Sequence, residues 1–236
     1  MKREPKYRHE FKYIISQGEA AVLELRIAAL MSVDPHVGES GVYTIRSLYF
    51  DSFTDRCVYE NESGTDPREK FRIRIYNASA ARIALECKRK ERGKTLKTSC
   101  LISEEQCRLL MRGGIPRDIG ARQTVLQRLA LLMRSELFLP KVIVEYERTP
   151  YILRMGNVRV TFDRNIRSSS VIGSFLENGL FVRPVMSVGQ HVLEVKYDEF
   201  IPDYIKDSLE IGSLRQTAYS KYYLCRNFST GGCYDI

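Results

Sequence analysis

Basic side chains occupy every second position in several strand-like segments of the sequence. In residues 68–76 (REKFRIRIY), arginine and lysine alternate with Phe71, Ile73 and Ile75. Successive side chains of a β-strand point to opposite faces of the sheet, so one face of this strand is cationic and the other is apolar. A cationic face of this kind suits a highly charged ligand of opposite sign.

The same alternation recurs, with lysine, arginine and glutamate, in four other segments. These segments are residues 6–13, 85–90, 158–163 and 193–197. For any one of them, a solvated strand face is the simpler interpretation. Repetition on so many strands instead indicates a sheet whose functional side holds a highly charged ligand.

Composition limits the possible classes of protein. The chain has 236 residues, of which 44% are hydrophobic, and its formal net charge is +8. That is enough apolar material for one large β-rich domain or two small ones, and it argues against wholesale disorder. The positive charge favours polyanionic partners such as nucleic acid, phosphates or an anionic membrane surface. Because the charge is spread through periodic segments, it does not form a basic tail.

Cysteine and hydropathy patterns add further expectations. The six cysteines form no C-x-x-C pair and the three histidines are far apart, so no structural zinc site is expected. A chain of this size does not need disulfides, so reduced thiols are expected. The N-terminus leads into no apolar stretch, and no segment is long enough to cross a bilayer. We therefore predict a cytoplasmic protein, and association with a membrane through a partner protein stays open at this point.

The charged segments must be positioned by a regular framework. Strands are predicted over 6–16, 43–51, 67–77, 81–91, 94–101, 140–148, 151–154, 157–164 and 191–198. Helices are predicted over 17–32, from 103 to about 113, and over 120–136, 202–210 and 217–227. No linker or internal repeat divides the chain. These elements predict one α+β domain over residues 1–236, a closed antiparallel β-barrel of about eight strands with flanking helices. A barrel of that size can surround a ligand-sized lumen, which ionic side chains can line if a charged ligand fills it.

Short motifs along the chain resemble a known family. They are RHEFKY (8–13), SLYFD (47–51), REKFRIR (68–74), LECK (85–88), EYER (145–148), RVTFD (159–163), LEVKY (193–197) and SKY (220–222). In this order they resemble the catalytic domain of the vacuolar transporter chaperone (VTC) family, a branch of the CYTH-like triphosphate tunnel metalloenzymes. The superfamily's usual first motif is Glu-x-Glu-x-Lys, and Arg8 stands here in place of the first glutamate. This departure weakens the case for a metal ligand on the first strand and favours polymerase-like relatives.

The resemblance implies a fold, an activity and a cofactor. The fold is an eight-stranded tunnel that binds triphosphate. The activity is that of a metal-dependent polyphosphate polymerase, which transfers the γ-phosphate of ATP to a growing polyphosphate chain and releases ADP. The metal is Mn²⁺ or Mg²⁺, and the partners are ATP and inorganic polyphosphate or triphosphate.

The candidate site residues are mostly cationic, because phosphoryl transfer depends on positioning and charge neutralisation rather than on a covalent nucleophile. One wall of the cradle is expected from Arg72, Arg74 and Lys88. The candidate catalytic cations are Lys12, Arg72, Arg74, Lys88, Arg148, Arg159 and Lys196. The candidate substrate-binding residues are Tyr146, Lys97, Ser220, Lys221 and Lys70.

Three carboxylates are candidates for holding the metal. Glu194 is the first choice, because a single protein carboxylate can suffice when substrate oxygens supply other ligands. Glu10 and Glu86 are second choices, and either can instead be a counter-ion for the lysines. An ion pair with a neighbouring cation is the simpler interpretation of Glu194 as well. Asp163 is expected to pair with an arginine rather than to bind metal.

Two other functions remain open at this stage. One is a triphosphatase or polyphosphate hydrolase on the same scaffold, and the other is a non-catalytic polyanion-binding module. Nucleic acid is not the expected ligand. Single-stranded nucleic acid is bound through aromatic platforms, and here Phe11, Phe71 and Phe162 fall on the face opposite the charges.

Overall fold

A computed structural model describes residues 6–38, 40–209 and 214–229. The strands are β1 (His9–Ser16), β2 (Ser32–Val33), β3 (Tyr43–Asp51), β4 (Arg68–Tyr76), β5 (Ser79–Glu91), β6 (Lys94–Leu101), β7 (Leu139–Leu153), β8 (Val158–Ser169), β9 (Arg183–Pro184) and β10 (Gln190–Tyr197). The helices are α1 (Gln17–Leu30), α2 (Arg56–Glu62), α3 (Glu104–Met111), α4 (Thr124–Ser135), α5 (Asp203–Leu209) and α6 (Lys221–Ser229).

Eight strands form one curled antiparallel sheet in the order β1-β10-β8-β7-β3-β4-β5-β6. The short strands β2 and β9 pair with β7 and β8. The two edges of the sheet meet at one bridge, where the backbones of Arg8 and Thr95 exchange two hydrogen bonds of 2.9 Å. The α+β prediction of an eight-stranded antiparallel tunnel sheet with flanking helices is confirmed. The sheet is curled into a half-barrel, and its two edges contact each other at this bridge.

Alternation along the strands separates an apolar outer face from a charged inner face. On β4, Phe71, Ile73 and Ile75 are fully buried in the main core, where α3 and α4 contribute Leu110 and Leu129. Burying a side chain of this size contributes about 1.5–3 kcal/mol, so the outer face fixes the register of each strand. The basic residues of the same strand are thereby directed inward.

A second core lies between α1 and the strands β8 and β10. Leu23 and Ile27 of α1 pack with Phe162 and Val195 in this cluster. A capping box at Ser16 begins α1, since the Glu19 amide donates to the Ser16 hydroxyl and the Glu19 carboxylate accepts from the Ser16 amide. The inner face of the sheet carries the charged groups together with Tyr49 and Tyr146, which belong to the main core.

Three element predictions need correction. Helix α2 was missed. Residues 139–153 form one strand rather than the two predicted over 140–148 and 151–154. Pro150 does not interrupt the strand, because it lies where the partner of β7 changes from β3 to β2. The last helix begins at Lys221 rather than near residue 217, because residues 216 and 217 extend along β1, with the Thr217 amide donating to the Lys12 carbonyl at 2.8 Å. Within the described ranges, no helix is both long and apolar enough to cross a membrane.

Candidate functional site

The inner face of the sheet encloses a cavity of about 140 Å³ with a strongly cationic lining. Among the described residues, ten lysine and arginine side chains line it, but only two carboxylates, those of Glu10 and Glu194. The cations are Lys12, Arg68, Lys70, Arg72, Arg74, Lys88, Lys90, Arg148, Lys196 and Lys221. An excess of this kind facing an enclosed space suits an anionic ligand.

Most of the candidate residues meet at this cavity. Twelve of the fifteen are in its lining: Lys12, Arg72, Arg74, Lys88, Arg148, Lys196, Tyr146, Ser220, Lys221, Lys70, Glu194 and Glu10. The other three, Arg159, Lys97 and Glu86, are not. Arg159 places Nη2 2.9 Å from the Asp34 carboxylate and 3.0 Å from the Tyr43 hydroxyl. Lys97 is half exposed and binds Glu86 at 3.0 Å.

One wall of the cavity is built on β4 and β5 and carries the partly buried Arg72 and the buried Arg74. Arg72 contacts Glu86 through Nε at 2.8 Å and Nη2 at 2.7 Å, and donates to the Tyr49 hydroxyl at 2.9 Å. Arg74 donates to the hydroxyls of Ser47 and Tyr146, both at 3.2 Å. Burial alone would raise the pKa of Glu86, but the arginines and Lys97 lower it well below its usual range. Glu86 is therefore an ionised counter-ion behind the wall.

The opposite wall is built on β7, β8, β10 and the first residue of α6, and each contributes one charge to a network. Arg148 binds Asp163 through two hydrogen bonds of 2.6 Å and also contacts Glu194 at 3.2 Å. The Lys221 ammonium lies 2.6 Å from Asp163 and 2.7 Å from Glu194. Asp163 is fully buried, so the expected pairing of this residue with an arginine is present. Its carboxylate holds both cations from behind the wall.

The two carboxylates that face the cavity are also paired with cations. Glu194 accepts from Lys196 at 2.6 Å, and Glu10 accepts from Lys88 at 2.7 Å. Burial would raise the pKa of Glu194, but Lys196, Lys221 and Arg148 lower it well below its usual range. Lys88 and Lys12 do the same to the pKa of Glu10, against the effect of its burial. Both groups are thus ionised at neutral pH.

Lys70 differs from the other buried lysines because its partners are neutral. Its ammonium donates to Asn61 Oδ1 at 2.9 Å and to Ser220 Oγ at 3.0 Å, and lies 5.5 Å from the centre of the Tyr222 ring. Burial lowers the pKa of Lys70 to about 7. Burial also lowers the pKa of Lys88 to about 7, although Glu10 opposes the shift.

Some residues of the lining were not among the candidates. Arg68 and Lys90 share the inward parity of their strands, so the alternation pattern contained the signal for both. Asn61 comes from α2, a helix that was not predicted. Arg8, whose orientation the sequence left open, forms a salt bridge of 2.7 Å with Asp198 and is not in the cavity lining.

The arrangement can hold and neutralise phosphate oxygens but offers little covalent chemistry. In the part of the chain that the structure describes, the lining contains no cysteine or histidine. Arginine forks and ammonium groups held in place before a ligand arrives provide electrostatic stabilisation without reorganisation. These properties suit a tunnel that binds a polyanion.

Comparisons with solved structures support this class at the level of the fold. A candidate adenylate cyclase from Bacillus halodurans is 14% identical, with a TM-score of 0.50 over 87% of each chain. PH1012 from Pyrococcus horikoshii OT3 is 13% identical, with a TM-score of 0.50 over 92% of this chain and 98% of that one. HpAC1 from Hippeastrum, a candidate adenylyl cyclase with a dominant triphosphatase activity, is 13% identical, with a TM-score of 0.50 over 97% of each chain. The fold is that of the CYTH-like tunnel proteins.

The family follows from a sequence comparison. Residues 7–229 match the VTC domain, so the chain belongs to the VTC domain family. The resemblance drawn from the motifs is thereby confirmed. No curated protein sequence gives a significant match.

Proposed function

We propose that this protein is a polyphosphate polymerase, which transfers the γ-phosphate of ATP to the end of a polyphosphate chain and releases ADP. The observation that carries the proposal is the cavity lining, which among the described residues has ten cations, two carboxylates and no cysteine or histidine. Phosphoryl transfer needs in-line positioning and neutralisation of the equatorial oxygens, and this lining can supply both. Membership of the VTC domain family supports the same activity.

The charge state of the carboxylates favours a phosphate acceptor over water. Water must lose a proton to attack phosphorus, whereas a terminal phosphate oxygen is already an anion. Neighbouring cations lower the pKa values of Glu10 and Glu194 well below their usual range. Both are therefore weak general bases. Transfer to a phosphate chain requires no base.

A divalent cation, Mn²⁺ or Mg²⁺, fits this site only together with the substrate. Within the described residues, no group of three or more histidine, cysteine, aspartate or glutamate side chains can hold a metal. Mg²⁺ is commonly held by one or two carboxylates plus phosphate oxygens and water. Glu194 and Glu10, both ionised and facing the cavity, match that requirement. The ion would neutralise charge on the bridging oxygens of the nucleotide.

Hydrolysis is the second candidate activity. HpAC1, which shares the fold, has a dominant triphosphatase activity. A hydrolase would use the same cations to bind ATP, inorganic triphosphate or polyphosphate and would pass the phosphoryl group to water. The two activities differ only in the acceptor, so one product analysis separates them.

The test is an incubation of the purified protein with ATP and Mn²⁺. Products are separated on a polyacrylamide gel stained for polyphosphate, and ADP and free phosphate are measured in parallel. We expect a polyphosphate ladder with stoichiometric ADP. The Arg89→Gln variant, altered on the outer face of β5 where Arg89 contacts Glu69 and Glu91, is the control and should make the same ladder. Free phosphate without a ladder would identify a hydrolase, and tight polyanion binding without either product would identify a binding module.

A further inference from the structure

We infer that the outward face of α1 is an interface between two copies of this chain, in which the two α1 helices pack antiparallel about a twofold axis near Leu25. The face, called the α1 stripe below, consists of Ala21, Val22, Leu25, Ala28 and Ala29, all of which are exposed. The inference concerns assembly and goes beyond the proposed function. The helix packs on the apolar residues of β8 and β10, on the side of the sheet opposite to Glu194 and Lys196, which line the cavity.

The first observation is that α1 is apolar on the side that faces solvent as well as on the side that faces the core. Its inner side packs Leu23 and Ile27 into the second core. Its outer side leaves Leu25 76% exposed and Val22 46% exposed. Over residues 20–31 the one exposed charged residue is Arg26. A helix that is apolar all round is normally covered on every side, so the outer side of α1 is suited to contact another molecule.

The order of residues in the stripe suits a second copy of the same helix. Ala21 and Ala29 lie four positions to either side of Leu25, and Val22 and Ala28 lie three positions to either side. Residues at these spacings share one side of a helix.

A twofold interface brings a surface against itself. With the axis near Leu25, the turn that carries Ala21 and Val22 lies against the other copy's turn that carries Ala28 and Ala29. The alanines in both turns allow the two helices to approach at the short end of the usual interaxial distance of about 8–10 Å. The stripe is therefore complementary to itself in the antiparallel arrangement.

The charged side chains of α1 lie beside the stripe rather than in it. Glu24 is held on one side, where it accepts from Arg164 at 2.6 Å and from Tyr151 at 3.4 Å. Arg26 lies on the other side, since successive residues of a helix are about 100° apart. An uncharged centre with a charged rim is typical of protein interfaces. A helix that binds an anionic membrane surface instead has several cations beside its apolar face, which favours a second copy over a lipid bilayer.

The neighbouring α5 enlarges the apolar face. It packs beside α1 through Ile205 and Leu209, and next to these residues Phe200 is 52% exposed and Tyr204 is 47% exposed. A stable dimer buries about 800 Å² on each partner. The 14 residues of α1 form a helix only about 21 Å long, so α1 alone does not supply this area. The two aromatic side chains, which bury about 150–250 Å² each when fully covered, supply much of the remainder.

Sedimentation velocity of the whole purified chain over a range of concentrations tests the interface. We expect wild-type protein to be dimeric at about 100 µM, a concentration at which a complex of micromolar Kd is populated. Leu25→Glu places two carboxylates against each other near the twofold axis and should weaken the dimer by about tenfold or more.

The matched control is Leu131→Glu, which changes a leucine that is 64% exposed on α4. This variant should form the dimer as wild type does. Both leucines are exposed, so both variants should fold, and circular dichroism checks this.

Cysteine cross-linking tests the antiparallel arrangement. Ala21→Cys and Ala28→Cys are prepared as separate proteins, and each is oxidised mildly alone and in an equal mixture. The mixture should give more covalent dimer than either variant alone, because the proposed axis brings residue 21 of one copy opposite residue 28 of the other. Wild-type protein, which has six cysteines of its own, gives the background.

Four results would overturn the inference. They are a wild-type protein that sediments as a monomer at about 100 µM, an equal weakening of the dimer by Leu25→Glu and Leu131→Glu, cross-linking of Ala21→Cys alone to the level of the mixture, and flotation of wild-type protein with vesicles of anionic phospholipid that Leu25→Glu abolishes. The last result would identify a membrane surface as the occupant of the stripe. None of these measurements uses ATP or polyphosphate, so their outcome is independent of the test of the polymerase proposal.

Discussion

The two walls of the cavity hold their arginines in different ways. On the β4–β5 wall, Arg72 is clamped by Glu86, a carboxylate that does not line the cavity. On the opposite wall, Arg148 is clamped by Asp163 from behind and is also contacted by Glu194 from the cavity side. Among the described residues, a carboxylate that lines the cavity contacts the arginine of the second wall but not Arg72, while Glu10, the other carboxylate of the lining, pairs with Lys88.

This difference assigns separate tasks to the walls. If Glu194 turned to a bound cation, Arg148 and Lys221 would keep Asp163 as their partner. Arg72 and Arg74 have no second carboxylate of this kind, because among the described residues Glu86 is the one within 4.0 Å of them. The β4–β5 wall is therefore suited to holding anions alone, and the opposite wall to holding an anion together with a metal ion.

The largest expected effect is a loss of stability when Glu86, the carboxylate that pairs with Arg72 and Arg74, is neutralised. Glu86→Gln leaves Arg72 and Arg74 buried without a carboxylate. Leaving a buried charge unpaired costs about 3–5 kcal/mol, which urea unfolding measures. Asp163→Asn should cost less, because Glu194 still contacts the cations on its wall. Equal losses in the two variants would show that the walls are equivalent.

Bound tripolyphosphate should change the relative stabilities of Glu86→Gln and Asp163→Asn. Tripolyphosphate supplies negative charge to both walls and should reduce the stability deficit of Glu86→Gln more than that of Asp163→Asn. Thermal unfolding with and without tripolyphosphate checks this. A deficit in Glu86→Gln that persists at saturating ligand would mean that Glu86 is needed for packing rather than for charge.

The next effect concerns turnover. Glu194→Gln should lower the rate of ADP release by about 100–1000-fold, the usual loss when one preorganised electrostatic contact is removed at the reacting centre. Tripolyphosphate binding without metal should persist or tighten, because Lys196 and Lys221 lose a competing anion. Calorimetry with and without Mn²⁺ measures both properties. Wild-type turnover in this variant would exclude Glu194 as a metal ligand.

A smaller effect is expected from the anion-holding wall. Arg72→Ala should weaken tripolyphosphate binding by about 1.5–3 kcal/mol, the value of a hydrogen bond to a charged group. Arg128→Ala is a suitable control, because Arg128 lies on α4 and pairs with Glu69 on the outer side of the sheet. Fluorescence or calorimetric titration gives both affinities. Equal affinities of Arg72→Ala and wild type would place the triphosphate away from this wall.

The sequence predicted the charged wall well and the details behind it poorly. Alternation on β4 identified Arg72 and Arg74 because a two-residue period fixes which side chains share a face. The same rule also placed Arg159 in the site, because Arg159 alternates with the apolar residues of its strand. Parity does not show how far along the tunnel a residue lies, and Arg159 is at a position where Asp34 reaches it.

Long-range pairing was the other limit. Strand periodicity cannot show which carboxylate meets which arginine, so Glu86 remained a metal candidate although it binds Arg72 and Lys97 behind the wall. Asn61 reaches the cavity from α2, a seven-residue helix that depends on tertiary contacts. Within the described residues the tunnel fold and most of the lining followed from local pattern. The single-domain boundary remains a prediction.

The smallest effect is a pH dependence that acts on the β4–β5 side of the cavity, where burial lowers the pKa of Lys70 to about 7. A bound anion favours the ammonium form, so binding should take up protons and affinity should fall as pH rises from 7 towards 9, by less than about tenfold per unit for each lysine. Stability of the free protein should move the other way. The unfolded lysine keeps its proton up to its ordinary pKa of 10.5, so this lysine makes the ligand-free fold more stable over the same range.

Calorimetry in buffers of different ionisation enthalpy counts the protons taken up on binding, and Lys70→Gln should reduce the count. An unchanged count in that variant would mean that Lys70 is already charged in the empty cavity, so that the two sides of the cavity would not differ in their response to pH.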